Sequence, residues 1–191
     1  MDAITNIDFS ILNFIHTHFT CRFLDFLMPK ITALGNGGAI WILASLALIC
    51  TKKYKANGVI MLICLGVGAL VGNIILKPLI ARPRPCWINE TVSLLISIPR
   101  GYSFPSGHTL SSVIGAVSLT IANPKFGFIA IPLAALIAFS RLYLYVHFPS
   151  DILAGMLIGI VIAYILWKMF SSLLVKRLTV KKTLMNIGGK I

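Results

Sequence analysis

The chain has 191 residues, of which 58% are hydrophobic and only 12% charged, too few polar groups to cover a soluble domain of this length. Its formal net charge is +12, from 17 Lys and Arg against 5 Asp and Glu. The basic residues sit in short loops between apolar runs and in the tail, not in a stripe along a polar helix. That argues against nucleic-acid binding and for contact with anionic lipids and topology setting.

The composition therefore predicts an all-α integral membrane protein, a bundle of about five to six transmembrane helices. A single membrane-embedded domain over 1–191 is expected. Within it, 1–36 hold interfacial helices, 37–170 the bundle and 171–191 a basic cytoplasmic tail. The opening Met-Asp-Ala has no basic run before it, so a cleaved signal peptide is not expected.

In chain order, Ile4, Ile7, Ile11, Phe14 and Ile15 recur at three- and four-residue steps, the mark of an amphipathic helix lying at the membrane surface. Residues 22–34 read as a second short helix, broken by Gly35-Asn36-Gly37-Gly38. Apolar runs follow over 38–51, 57–76, 106–122, 126–145 and 151–170. The first is short for a span and borrows from the glycine stretch. Between the second and third lies a loop, 78–103, rich in Pro and Arg. Gly66, Gly68 and Gly72 suggest close helix packing. Trp41, Trp87 and Trp167 read as interface anchors. Cys21, Cys50, Cys64 and Cys86 form no CxxC pair and read as small buried hydrophobes.

Alternation of sides places Lys52, Lys53, Lys55, Lys125 and the tail on one face, which the positive-inside rule makes cytoplasmic. The loops 77–105 and 141–150 then face the opposite, extracytoplasmic side of a plasma-membrane protein. That side also carries Lys77, Arg82, Arg84, Arg100 and Arg141, against the rule.

Three polar clusters occur at helix ends on that side: Lys77 to Pro85, Pro105-Ser106-Gly107-His108, and Ser140-Arg141 with His147 and Asp151. Ionisable groups so close to hydrocarbon are functional candidates. Lys77, Arg84 and Arg141 supply fixed charge and N–H donors for phosphate oxygens. The backbone N–H groups of Ser106 and Gly107 precede an apolar helix, whose N-terminus favours an anion. Of His108 and His147, one can attack phosphorus while the other protonates the leaving oxygen. Asp151, four residues after His147, is placed to hold its far ring N–H.

These clusters resemble the type 2 phosphatidic acid phosphatases, a superfamily that also includes bacterial acid phosphatases and vanadium haloperoxidases. The pattern is Lys, six residues, Arg-Pro; Pro-Ser-Gly-His; and Ser-Arg, five residues, His, three residues, Asp. Every spacing matches, and the resemblance covers roughly residues 35–170. It implies a phosphohistidine on His147, oriented by Asp151, with His108 as the acid. Lys77, Arg84, Ser106, Gly107 and Arg141 would hold the phosphate, without a metal or cofactor. The substrate implied is a lipid phosphate: undecaprenyl diphosphate, phosphatidylglycerol phosphate or phosphatidic acid. A lipid-to-lipid phosphotransferase would use the same residues, and a lipid-phosphate binding or transport protein needs only the cations. Arg82 falls outside the pattern and reads as solvated or headgroup-facing. Arg100 reads as a loop arginine that could steer a second phosphate. The loop from Cys86 to Phe104 is expected to help choose the lipid. Oligomeric state has no signature here.

Overall fold

The computed structural model describes residues 3–188, with side chains described for 3–172. The side chains of the basic tail beyond Ser172 lie outside the described residues, as do Met1 and Asp2. The described residues are helical and contain no strand.

In chain order, α1 (Ala3–Phe19) and α2 (Arg22–Leu34) lead into a turn at Asn36–Gly38 and then α3 (Ala39–Ile49). Gly37 and Gly38 have φ of 59° and 71°, the left-handed region that glycine enters without steric cost. The turn bends α2 against α3 by 44°, and the pair together is long and apolar enough to make one broken span. α4 (Lys55–Ala69) continues through a π-helical stretch at Leu70–Leu76 into α5 (Lys77–Ile80) and α6 (Pro85–Ile88). α7 (Gly107–Ala122), α8 (Pro124–Tyr143) and α9 (Pro149–Gly188) complete the order.

Three helical segments among the described residues pass as spans alone: Lys55–Ile88, Pro124–Tyr143 and Pro149–Ser172. With the bent pair there are four, and α7 is a shorter apolar helix. The expected bundle is present. Counted with α3 across the glycine turn, α2 is apolar enough to contribute to a candidate span, where the sequence alone reads it as interfacial.

α7 sits at the centre, against α8, α9 and α4. Its N-terminus is capped by Ser106, whose Oγ accepts from the Thr109 N–H. Asn123 caps α8, with Pro124 at the first position, so the α7–α8 connection is very short. Leu110 and Ile114 of α7 pack with Met61, Cys64 and Trp41 in the core. Gly68 of α4 and Gly72 of the π-helical stretch allow close approach to α7: a Cβ there would lie 2.5 Å from Ile114 and from Leu110, respectively. Gly66 does not serve packing, because a Cβ there would meet nothing within 4 Å.

Trp41 is a core residue and not an interface anchor. It is 2% exposed, lies against Gly115 and donates from Nε1 to Ser112 Oγ at 3.0 Å. Its indole N–H finds a buried hydroxyl and therefore needs no interface water. Of the cysteines, Cys64 and Cys86 are buried as expected, whereas Cys21 and Cys50 are exposed. The outward helix faces carry large apolar groups such as Phe128 (81% exposed), Ile129 and Leu79. Such faces suit hydrocarbon as solvent. On α1, Ile4, Ile7, Ile11 and Phe14 face outward, whereas Asp8, Leu12 and Ile15 pack inward.

Candidate functional site

The short helix connections at one end and the longer loops at the other place the three sequence clusters together. The N-termini of α7 and α9 meet there: Ser106 N–H donates to the Asp151 carbonyl at 3.1 Å. Gly155 makes this approach possible, since a Cβ there would lie 2.8 Å from the Ser106 carbonyl oxygen.

His147 lies in the connection between α8 and α9 and is 2% exposed. Its neighbours Val146 and Phe148 are fully buried, which locks the segment. Nδ1 stands 3.4 Å from Asp151 Oδ2, and Nε2 stands 3.2 Å from Arg84 Nη1. A guanidinium only donates, so Nε2 is the acceptor and the ring proton resides on Nδ1, towards Asp151. Burial pushes the His147 pKa down to about 3; the bond to Asp151 opposes this, and Arg84 and Arg141 add to it. The imidazole is therefore neutral at pH 7, with a lone pair on Nε2.

Asp151 is held as an acceptor. Its Oδ2 accepts from Phe148 N–H at 2.9 Å and from Ser103 Oγ, while Oδ1 accepts from Arg82 Nη1 at 2.7 Å. The first turn of α9 also favours its negative charge.

Lys77, Arg84, Gly107, His108, Arg141 and His147 line one cavity of about 560 Å³. Arg84 is braced by loop carbonyls: Nε donates to Gly101 at 2.8 Å, Nη1 to Val146 at 2.7 Å and Nη2 to Tyr102 at 3.2 Å. Arg141 is 3% exposed; Nη1 donates to Thr32 Oγ1, while Nε is buried with no hydrogen-bond partner. An orphaned buried guanidinium N–H is costly and suits an anion that is present only part of the time. His108 Nε2 pairs with Asn36 Oδ1 at 3.0 Å, which fixes the ring.

Of the residues expected to meet the phosphate, Ser106 is placed differently. Its N–H is taken by Asp151 and its Oγ accepts from Thr109, so it caps α7 and does not line the cavity. Gly107 does line it. Away from the cations the cavity continues between α3, α4 and α7, where Ile42, Leu62, Leu65, Gly66 and Ala69 form an apolar wall. Arg100 stands at the cavity as well.

Residues 57–174 match the family model of the PAP2 superfamily. The chain belongs to that superfamily. It is a multi-pass membrane member. It is 34% identical to the undecaprenyl-diphosphatase of Sulfolobus acidocaldarius over 66% of this chain and 61% of that one. With the undecaprenyl-diphosphatase BcrC of Bacillus subtilis the identity is 31% over 57% of this chain and 55% of that one. The chain thus spans less than two thirds of the length of these relatives. The crystal structure of the transmembrane PAP2-type phosphatidylglycerolphosphate phosphatase from Bacillus subtilis superposes with a TM-score of 0.74 at 25% identity, covering 90% of this chain and 88% of that one.

Several PAP2-site neighbours escaped the sequence reading. Thr32 and Asn36 did so because α2 and the glycine turn looked peripheral. Ser103 sits in the loop expected to help choose the lipid. Asn73 also lines the cavity, with its Oδ1 3.0 Å from where a Gly107 Cβ would lie. Its signal was available: an amide inside an apolar span, four residues before Lys77. Arg82 is not headgroup-facing. It is engaged by two carboxylates, Asp8 and Asp151.

Proposed function

We propose that this chain is a lipid phosphatase that removes a terminal phosphate through a phosphohistidine on His147. The unprotonated Nε2 of His147, at the wall of a cavity that also holds Lys77, Arg84 and Arg141, carries this assignment.

In this scheme the lipid phosphate enters sideways from the bilayer, its apolar part along the Gly66 wall. Lys77, Arg84, Arg141 and the Gly107 N–H hold the terminal phosphoryl oxygens, with Ser106 keeping the helix end in place. Nε2 attacks phosphorus while the bond to the leaving lipid oxygen breaks, and His108, protonated as the phosphate brings its negative charge into the cavity, supplies the proton. Asp151 stabilises the imidazolium proton on Nδ1 as charge builds. Water then attacks the phosphohistidine, releasing inorganic phosphate and the free imidazole. The cations stabilise the charge spread over the equatorial oxygens, so the scheme calls on no metal.

A prenyl diphosphate is the favoured substrate. Two relatives carry the name undecaprenyl-diphosphatase, and Arg100 at the cavity suits a second phosphate. Lys52, Lys53, Lys55 and Lys125 lie at the opposite end of the bundle from the site, which supports an extracytoplasmic active site in the plasma membrane.

The test is phosphate release by purified His147→Ala from undecaprenyl diphosphate, phosphatidylglycerol phosphate and phosphatidic acid. Turnover should fall by about 10³-fold or more on each, as for other nucleophile deletions. Turnover near wild type on any of them would remove His147 from the role.

A further inference from the structure

Asp8 and Arg82 have no part in the scheme above, yet both are buried against it. Asp8 is 3% exposed, on a helix whose outward face is apolar. The Arg82 side chain is 16% exposed. A buried carboxylate and guanidinium are costly unless paired and hydrogen-bonded. Here they are. Arg82 Nη2 donates to Asp8 Oδ2 at 2.7 Å, and Nη1 donates to Asp151 Oδ1 at 2.7 Å and to Ser150 Oγ at 2.7 Å. Asp8 in turn accepts from Ser150 N–H at 3.0 Å on Oδ1 and from Ser150 Oγ at 2.5 Å on Oδ2. The guanidinium lies over the Phe148 ring, 4.1 Å from its centroid, and Phe9 of α1 meets the same ring edge-on at 5.1 Å. Leu12 of α1 packs with Tyr145 and Phe148, and Tyr145 OH donates to Asn13 Oδ1 at 2.9 Å.

α1 is therefore attached to both sides of His147, at residues 145, 148 and 150. The chain of charges runs Asp8, Arg82, Asp151, His147. Arg82 beside Asp151 alone would fix that carboxylate but also draw its electron density away from Nδ1–H of His147. Asp8, on the far side of the guanidinium, offsets that charge and leaves Asp151 an effective acceptor. Asp8 also lies outside residues 57–174, so the family match says nothing of it.

We propose that Asp8 and Arg82 are positioning residues, and that α1 acts as part of the active-site framework by clamping Asp151 and the His147 loop through them. This rests on the assignment of His147 and Asp151 above. Neither residue lines the cavity, so the pair acts on the chemical step and not on phosphate binding.

The experiment compares Asp8→Asn, Arg82→Gln, the double variant and His147→Ala in the purified full chain. It measures kcat on a lipid phosphate and the inhibition constant of inorganic phosphate. Asp8→Asn is isosteric and keeps an acceptor for Ser150, which preserves the fold of the loop. Each single variant should lower kcat about tenfold or more, with phosphate inhibition within about twofold of wild type. The double variant should fall no further than the worse single one, because one chain has been cut twice. Wild-type kcat in either single variant would overturn the proposal, as would losses that multiply in the double variant, or phosphate affinity falling in step with kcat. If His147→Ala is inactive while the others match wild type, only this inference fails. If His147→Ala stays active, the phosphohistidine assignment fails first.

Discussion

Arg141→Met should make the empty protein more stable and the phosphate-bound protein less so. Arg141 is 3% exposed, and no carboxylate among the described residues pairs with it. Its Nε has no partner, and Lys77 and Arg84 share its cavity with the same sign of charge. Methionine keeps the apolar stem of arginine as far as the Nε position, without charge or donors. Removing a buried unpaired ion and an orphaned donor gains several kcal/mol, and losing the Nη1 bond to Thr32 returns about 1.5–3 kcal/mol of that. The net gain is about 1–3 kcal/mol, or roughly 2–4 °C in Tm per kcal/mol for a chain of this size. Phosphate at one thousand times its Kd adds about 4.1 kcal/mol to wild type and little to the variant. Thermal unfolding in detergent, with and without inorganic phosphate, should therefore show the two proteins exchanging rank. A variant less stable than wild type without phosphate, or equally stabilised by it, would refute the view of Arg141 as an anion ligand held in waiting.

Gly66→Leu adds a side chain to the apolar wall of the cavity at a position where a Cβ has nothing within 4 Å. It should raise KM for a long-chain lipid phosphate by about tenfold while leaving a short-chain soluble analogue within about twofold, read from parallel kinetics. The pH profile carries the mark of His147. Its pKa is lowered in the folded protein to about 3, so the unfolded state binds more protons between that value and its ordinary range near 6.5. The stability it contributes is present at neutral pH and is lost as pH falls through that window, checked by denaturation midpoints of wild type against His147→Gln. Burial keeps the His147 ring neutral well below its ordinary range, so with His147 as the proposed nucleophile kcat/KM should hold on acidification through about pH 6, read from the pH–rate profile.

The site's cations and histidines were legible because charged residues at the ends of apolar runs have few reasons to be there. Lys77, Arg84, His108, Arg141 and His147 all line the cavity for that reason. Ser106 shows the limit: a motif gives the residue, but only the packed helix ends show that its N–H is already used by Asp151. Arg82 and Asp8 were unreadable as a pair because they are far apart in sequence and meet only when α1 packs on α8 and α9. Thr32 was missed and Trp41 misread for a related cause. Hydropathy reports the solvent a helix prefers, not which face turns towards a neighbour, and α2 and α3 gain their inward faces only through the bend at the glycine turn.

The bracing of Arg84 divides the loop between α6 and α7 into unequal parts. Gly101 and Tyr102 are tied to the guanidinium, and Ser103 is tied both to Asp151 and, through its N–H, to the Arg82 carbonyl. Residues 89–99 make no such bond to Arg84 or Asp151, and none of them is buried. The loop thus has a tied part, Gly101 to Ser103, and a stretch, 89–99, that is free of those ties and strung between two fixed ends. Under the proposed function, exchanging residues 89–99 should alter headgroup preference while leaving the bracing of Arg84 and Asp151 in place.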